Sequence, residues 1–515
     1  MFGLALSGCQ NAHVERTIET EESADSASQD PKVVSKLVFV DKGGLDMKEE
    51  LPGVPNLQKS AEAAVGAEPM RIMGSLGRKK GRSATSFRGR MDANREEYNH
   101  IAENGFKRVA DNPLSTFSID VDTASYANIR RILNSGDLPP KDAVRIEEMI
   151  NYFSYDYDAP VGDASFAVNT EVGVAPWNDK HRIVRIGLKG KNIPRGERPA
   201  SNLVFLLDVS GSMNGPNKLP LLKKAFKVLV NQLDERDTVS IVVYAGSSGT
   251  VLPPTPGDRK SDILNALQSL RAGGSTNGGA GIMQAYKLAK ENFIPGGTNR
   301  VILATDGDMN VGTTSQGGLI RLVQQKAKSG VFLSVLGFGG GNLRDSTMEQ
   351  VANKGNGNYA YIDSVSEARK VLGTQMGGTL LTIAKDVKIQ VEFNPSKVAG
   401  YRLIGYENRD IADADFRNDR VDAGEVGSGH SVTALYEVIL GENASDGLAT
   451  VRVRWEAPGA DKEAEEKAFD FSSSMLQQDV SSASDATKLA YGAATLAEVL
   501  RQSPHAAEVD LEALA

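Results

Sequence analysis

Asp208-Val209-Ser210-Gly211-Ser212 sets one carboxylate and two hydroxyls at alternate positions of a glycine-containing loop. The run follows Leu203-Val204-Phe205-Leu206-Leu207, an unbroken apolar stretch that reads as a buried parallel strand delivering Asp208 to its carboxyl end. An oxygen-only donor set of this kind suits a hard cation such as Mg²⁺ rather than zinc or copper. Further donors lie downstream. Thr276 sits in Gly273-Gly274-Ser275-Thr276-Asn277-Gly278-Gly279, a loop before the helical run 280–293. Asp306 follows Val301-Ile302-Leu303-Ala304-Thr305, a second buried strand. All three segments place oxygen at strand ends or helix starts, the edge where open α/β sheets bind ligands.

The elements that must hold these loops alternate in type. Apolar residues at helical spacing over 218–233 precede a β-branched strand at 238–244 and a short edge strand at 250–252. Helices are expected at 262–270, 280–293, 319–329, 344–354 and 367–381, with strands at 301–305, 331–336 and 359–362. Strand and helix in alternation imply a parallel sheet covered on both faces. The strings DVSGSM, GGSTNGG and ATDGD, in this order and on these elements, resemble the metal-ion-dependent adhesion site of von Willebrand factor type A (VWA) domains. The resemblance covers 201–381 and implies a Rossmann-like α/β fold with a mostly parallel sheet. It also implies that Asp208, Ser210, Ser212, Thr276 and Asp306 hold Mg²⁺ (or Mn²⁺), some of them through water. One coordination position would stay open to the Asp or Glu of a partner protein.

The flanks narrow the expectation. Residues 96–200 read as an α+β module, in which the segment Asn112 to Tyr126 leads into a helical run through Leu133, a second helix runs from Asp142 to Phe153, and strands lie at 166–174 and 181–188. Residues 382–515 read as an antiparallel β module ending in a helix, because 387–393, 431–439 and 450–455 alternate with period two. The string from Pro139 to Phe153 resembles the segment before the VWA domain in a family of bacterial VWA lipoproteins. Asp422-Ala423-Gly424-Glu425, with Gly429-His430 and Thr433-Ala434-Leu435-Tyr436, resembles that family's carboxyl-terminal module.

Leu6-Ser7-Gly8-Cys9 matches a lipobox, in which signal cleavage leaves a lipidated cysteine. Residues 1–9 are then the end of a signal peptide, although Met1 to Ser7 lacks the Lys or Arg and the long apolar run of a complete one. Cys9 is the one cysteine of the sequence, so neither a disulfide framework nor a thiolate metal site can form. Residues 10–95 read as a tether, poor in aromatics and too polar to bury a core, acidic first and basic between Arg78 and Arg90. A lipid at Cys9 would be the sole membrane attachment, placing the chain in the cell envelope, on the outer membrane or periplasmic side of a diderm bacterium. The formal net charge of -8 argues against nucleic acid as a partner.

Enzyme signatures are missing from the sequence. Ser210 and Ser212 stand in no GxSxG elbow, the five histidines are scattered without metal-ligand spacing, and no GxxxxGK[ST] string occurs. Three other features have plain structural readings. Gly337-Phe338-Gly339-Gly340-Gly341 reads as a turn of the parallel sheet, Asp120, Asp122 and Ser125 as a solvated strand end with a helix cap in preference to a second oxygen site, and the acidic run Asp410, Asp413, Asp415, Asp419 and Asp422 as a plain loop in preference to a Ca²⁺ site. The expectation is a non-catalytic, metal-dependent interaction module of a lipoprotein. The alternative is a non-catalytic subunit that recruits an enzyme such as an ATPase or hydrolase.

Overall fold

Residues 96–175, 177–307, 316–442, 447–458, 463–471, 482–507 and 509 are described by the structure, a computed structural model. Cys9, residues 10–95 and the basic cluster Arg78 to Arg90 lie outside them.

In chain order the first elements are strands β1 (Lys107–Arg108) and β2 (Leu114–Ser118) and helices α1 (Ala124–Asn134) and α2 (Ile146–Asn151). Strands β3 (Phe166–Ala175) and β4 (Asn178–Gly190) follow. The single helix expected from Asp142 to Phe153 is broken: Val144 and Arg145 are extended, and α2 begins only at Ile146. The break has a physical reason. Arg145 N is bonded to Ser125 Oγ at 3.0 Å, and its buried guanidinium reaches Glu148 and Asp345.

The central domain is built from β5 (Ser201–Asp208), α3 (Leu219–Val230), β6 (Thr238–Tyr244), β7 (Ser248–Pro256), α4 (Lys260–Ser269), α5 (Gly278–Glu291) and β8 (Thr298–Thr305). It continues through α6 (Gln316–Ala327), β9 (Phe332–Phe338), α7 (Asp345–Lys354), β10 (Tyr359–Ile362), α8 (Val365–Arg369) and α9 (Met376–Leu380). Its sheet runs β10-β9-β8-β5-β6-β7, parallel throughout except for the antiparallel edge strand β7. The apolar run of β5 is continuous because both faces are covered. Leu203, Phe205 and Leu207 enter the core under α3 and α4, while Val204 and Leu206 enter the core under α5, α6 and α7. The run expected as one helix to Leu381 is three pieces, with a wide turn at Lys370–Thr374 between α8 and α9.

Past the domain come β11 (Thr382–Phe393), β12 (Val398–Ile404), β13 (Gly424–Gly427), β14 (Ser431–Leu440), β15 (Ala449–Glu456), β16 (Glu465–Asp470) and α10 (Asp485–Arg501). The two flanks, expected as separate modules, share their sheets. One sheet runs β1-β12-β14-β4-β3, so N-terminal and C-terminal strands interleave, and the other runs β13-β11-β15-β16 with β2 paired on β11. Between them lies a core including Val184, Ile186, Tyr436 and Val438 from the first sheet and Ile389, Val391, Val453 and Trp455 from the second. α2 and α10 cover the outer face of the first sheet. α1 joins that layer through Tyr126 and Ile129 and also lends Ala124 and Ala127 to the core of the parallel domain.

Candidate metal centre

Asp208 ends the central strand and is fully buried. Its carboxylate is oriented from three sides. Oδ1 accepts from Ser210 N at 2.9 Å, and Oδ2 accepts from Thr305 Oγ1 at 3.0 Å and from Tyr244 OH at 3.3 Å. Parallel register supplies the tyrosine, because Tyr244 is the β6 residue paired with Asp208. Burial pushes the Asp208 carboxyl up to about 6; hydrogen bonds from Ser210 oppose the rise, and the charge of Asp306 adds to it.

The loop after Asp208 is short and anchored. Met213 is fully buried in the core under α3, which pins the single turn Gly211–Met213. Ser210 Oγ and Ser212 Oγ come within 2.9 Å of each other, with Ser210 buried and Ser212 exposed. Two backbone bonds join this loop to the next one: Gly211 N donates to Gly274 O at 3.0 Å, and Gly273 N donates to Val209 O at 2.8 Å. Thr276 is half-buried in that second loop, two residues before α5, whose cap Asn277 accepts from Ala280 N.

Asp306 lies one residue past β8 and is fully buried. Gly307 turns the chain away at φ +98°, and a Cβ there would stand 2.6 Å from Arg344 N, so only glycine fits. The Lys218 ammonium donates to Asp306 Oδ2 at 2.9 Å and to Asn342 Oδ1 at 3.2 Å.

The donor set fits a hard divalent cation. Two carboxylates are held at the sheet edge out of water, beside a serine pair whose outer member meets solvent, and one lysine is bonded to one of the two acids. Such burial favours a cation that restores charge balance, and neutral hydroxyls complete a sphere of the Mg²⁺ type. Asp208, Ser210, Ser212 and Asp306, with Thr276 on the adjoining loop, are the residues that would hold it. Sequence reasoning missed Thr305, Tyr244 and Lys218. Register along the sheet signals the first two, since both lie at strand ends beside Asp208. Lys218 carries no local signal.

Two other acidic regions resolve as structure, and the solvated strand end with a helix cap expected at Asp120, Asp122 and Ser125 is instead buried, its acids neutralised by arginine, with Thr123 and not Ser125 at the cap position. Oxygens of Asp120, Asp122 and Glu148 lie within 4.8 Å of one another, all buried. Arg409 occupies them, at 2.9 Å from Asp120 Oδ2 and 3.2 Å from Asp122 Oδ2, while Arg145 pairs with Glu148. Ser125 Oγ donates to Ala143 O at 2.7 Å. In the acidic loop, Asp413 accepts from Thr116, Asp419 from Arg454 and Asp422 from Lys354. The glycine string after β9 serves side chains from elsewhere: a Cβ on Gly339, at φ +71°, would stand 2.4 Å from Lys218 Cε, and one on Gly340 would stand 2.5 Å from an Arg131 nitrogen.

Known protein families match three stretches of the chain. The family model for the von Willebrand factor type A domain matches residues 202–374. A model described as von Willebrand factor matches 92–185, and one described as the C-terminal part of uncharacterized protein YfbK matches 378–515. The Escherichia coli (strain K12) protein YfbK is 46% identical over 387 residues, covering 70% of this chain and 67% of the relative. Human inter-alpha-trypsin inhibitor heavy chain H4 is 29% identical over 147 residues, 27% of this chain and 16% of its own. A solved von Willebrand factor type A structure from Catenulispora acidiphila is 17% identical with a TM-score of 0.39, covering 62% of this chain and 74% of that one.

Proposed function

Because the chain belongs to the von Willebrand factor type A family, alongside Escherichia coli YfbK, we propose that its parallel-sheet domain is a metal-dependent protein-binding module. Asp208, Ser210, Ser212, Thr276 and Asp306 hold Mg²⁺ or Mn²⁺, and the partner contributes an Asp or Glu. The observation that carries this reading is the pairing of a fully buried, triply hydrogen-bonded Asp208 with a serine pair whose outer member is exposed. Bound there, the ion supplies an electrophile that accepts one more oxygen ligand.

The protein's own residues do the rest. Thr305, Tyr244 and Ser210 N fix the direction of the Asp208 carboxylate, so ligand geometry is set before any ion arrives. Hydroxyl donors add no charge, which leaves the centre attractive to a partner's anion. We further propose that the module is carried on a cell-envelope lipoprotein anchored through Cys9. Cys9→Ser should then release it from the membrane fraction, and retention there would end that part of the reading.

The metal reading is tested with the full chain. Asp208→Ala should abolish Mg²⁺ binding by titration calorimetry, and partner capture should vanish in chelator and return with Mg²⁺ or Mn²⁺. Ca²⁺, larger and content with more ligands, should support capture less well. Equal Mg²⁺ affinity in wild type and Asp208→Ala would end the proposal.

A further inference from the structure

We infer that Lys218 is a built-in third charge of the metal centre, which weakens the site's hold on the cation and strengthens its attraction for a carboxylate guest. The inference rests on the metal reading above and assigns a role within it to a residue outside the ligand set.

Lys218 is placed by three separate parts of the chain. Its backbone stands at the cap position immediately before α3. Its stem lies along Gly339, where a Cβ would stand 2.4 Å from Cε and 2.5 Å from Cγ, so the positive-φ glycine leaves the channel the lysine fills. Its ammonium donates to Asp306 Oδ2 at 2.9 Å and to Asn342 Oδ1 at 3.2 Å, with the side chain 13% exposed and that of Asp306 fully buried. A cation at a helix start is the unfavourable sense of the helix dipole, which prefers acids there. Local helix energetics therefore do not account for the lysine, whereas a buried Asp306 does.

The charges of the centre then follow. Asp208 and Asp306 carry two negative charges and Lys218 carries one positive, so the ion-free centre has a net charge of about -1 and the loaded centre about +1. A carboxylate guest brings the loaded centre to neutrality. Without the lysine, the loaded centre would already be neutral, and a carboxylate would leave it negative. The same ammonium therefore opposes the cation and favours the anion. Asp306 also keeps a counter-charge while no ion is bound, which allows both acids to stay buried in the folded ion-free protein.

The experiment compares full-length wild type, Lys218→Met and Lys218→Arg. Mg²⁺ alone is titrated calorimetrically into chelator-treated protein. Melting is followed in chelator and at saturating Mg²⁺, and acetate is titrated against the Mn²⁺-loaded protein by water-proton relaxation. Lys218→Met should bind Mg²⁺ about tenfold more tightly and acetate about tenfold more weakly, while Lys218→Arg stays near wild type. In chelator Lys218→Met should melt below wild type, and Mg²⁺ should close the gap. Mg²⁺ affinity in Lys218→Met within about twofold of wild type overturns the inference, as does a melting gap that Mg²⁺ leaves unchanged. Should Lys218→Met not fold without the ion, Asn342→Ala carries the test. It removes the second anchor of the ammonium and should move both affinities in the same directions by a smaller factor; no movement overturns the inference. Wild type that binds no Mg²⁺ overturns the metal reading itself, an outcome distinct from a binding wild type with an indifferent lysine variant.

Discussion

Carboxylates are buried at the carboxyl edge of the parallel sheet and also where the N-terminal flank meets α7, and the two places settle the charge differently. At the flank, Asp120, Asp122, Glu148, Asp345 and Glu349 are threaded by Arg145 and Arg409, whose planar forks each reach several acids. At the sheet edge, Asp208 and Asp306 are surrounded by hydroxyls, backbone and one lysine, and the outer serine faces solvent. The difference separates mortar from a site. Acids gripped by arginine forks have their lone pairs spent on fixed partners and tie three chain segments together. Asp208, held by neutral donors, and Asp306, sharing one lysine, keep net negative charge for the ion proposed to bind there. Both regions meet at α7, because Gly307 of the sheet edge abuts Leu343 and Arg344, and Asp345 and Glu349 follow on the helix.

The sharpest way to break this contrast is to remove one fork. Arg409→Met leaves Asp120 and Asp122 buried without their shared cation, the situation in which losing one partner of a buried pair costs about 3–5 kcal/mol. Chemical denaturation should show a loss of that order, and Mg²⁺ should not restore it, because the joint is closed by protein and not by an ion. A larger stability gain on adding divalent cation to Arg409→Met than to wild type would recast the flank cluster as a second ion site.

How much of this was legible in the sequence follows the same division. The candidate ligands at the sheet edge could be read because each sits at or near an element boundary marked by an apolar strand or a glycine loop, and because β5 is parallel with an unbroken apolar run from Leu203 to Leu207. The interleaved flanks could not. Period two announces a strand but names no partner, and nothing local in Val184 indicates that it faces Tyr436 across more than 250 positions of chain. β12 gives no clear strand signal because Gly400 interrupts its alternation, and β16 gives none because its mostly exposed residues carry no apolar stripe. Lys218 was illegible for a related reason: its partners Gly339 and Asn342 lie on a loop far along the chain. The broken helix at Val144 and Arg145 depends likewise on acids that Arg145 meets only in the folded protein.

A smaller effect sharpens the comparison through pH. Burial pushes Glu147 up to about 7, with the charges of Glu407 and Asp120 adding to the rise, and pushes Glu148 up to about 8. Raised carboxyls bind more protons in the folded protein than in the unfolded chain. Their contribution to stability is therefore complete below the ordinary carboxylate range and is lost as pH climbs through about 7 and about 8. In chelator the melting temperature should fall by a few degrees between about pH 5.5 and about pH 8.5. Glu147→Gln, which can still accept from Tyr406 N, should flatten part of that fall. A melting temperature that rises across the window, or an unchanged slope in Glu147→Gln, would show that the joint carries its acids fully ionised.

The smallest expected effect separates charge from mere oxygen at the sheet edge. Thr276 is half-buried on the loop that Gly273 and Gly274 bond to the Asp208 loop, and its hydroxyl is neutral. Thr276→Ala removes one oxygen and no charge, and the vacated position is open to a water, which Mg²⁺ retains readily. Metal affinity should therefore fall by less than about tenfold, where Asp208→Ala takes it beyond detection. Stability without metal should change by no more than about 0.5 kcal/mol, since the hydroxyl is not deeply buried. Parallel calorimetric titrations of the two variants with Mg²⁺ decide the matter. If Thr276→Ala is as damaging as Asp208→Ala, the centre depends on a complete oxygen cage and not on its charge balance. The contrast with the arginine-bound joint would then have to be drawn from geometry instead.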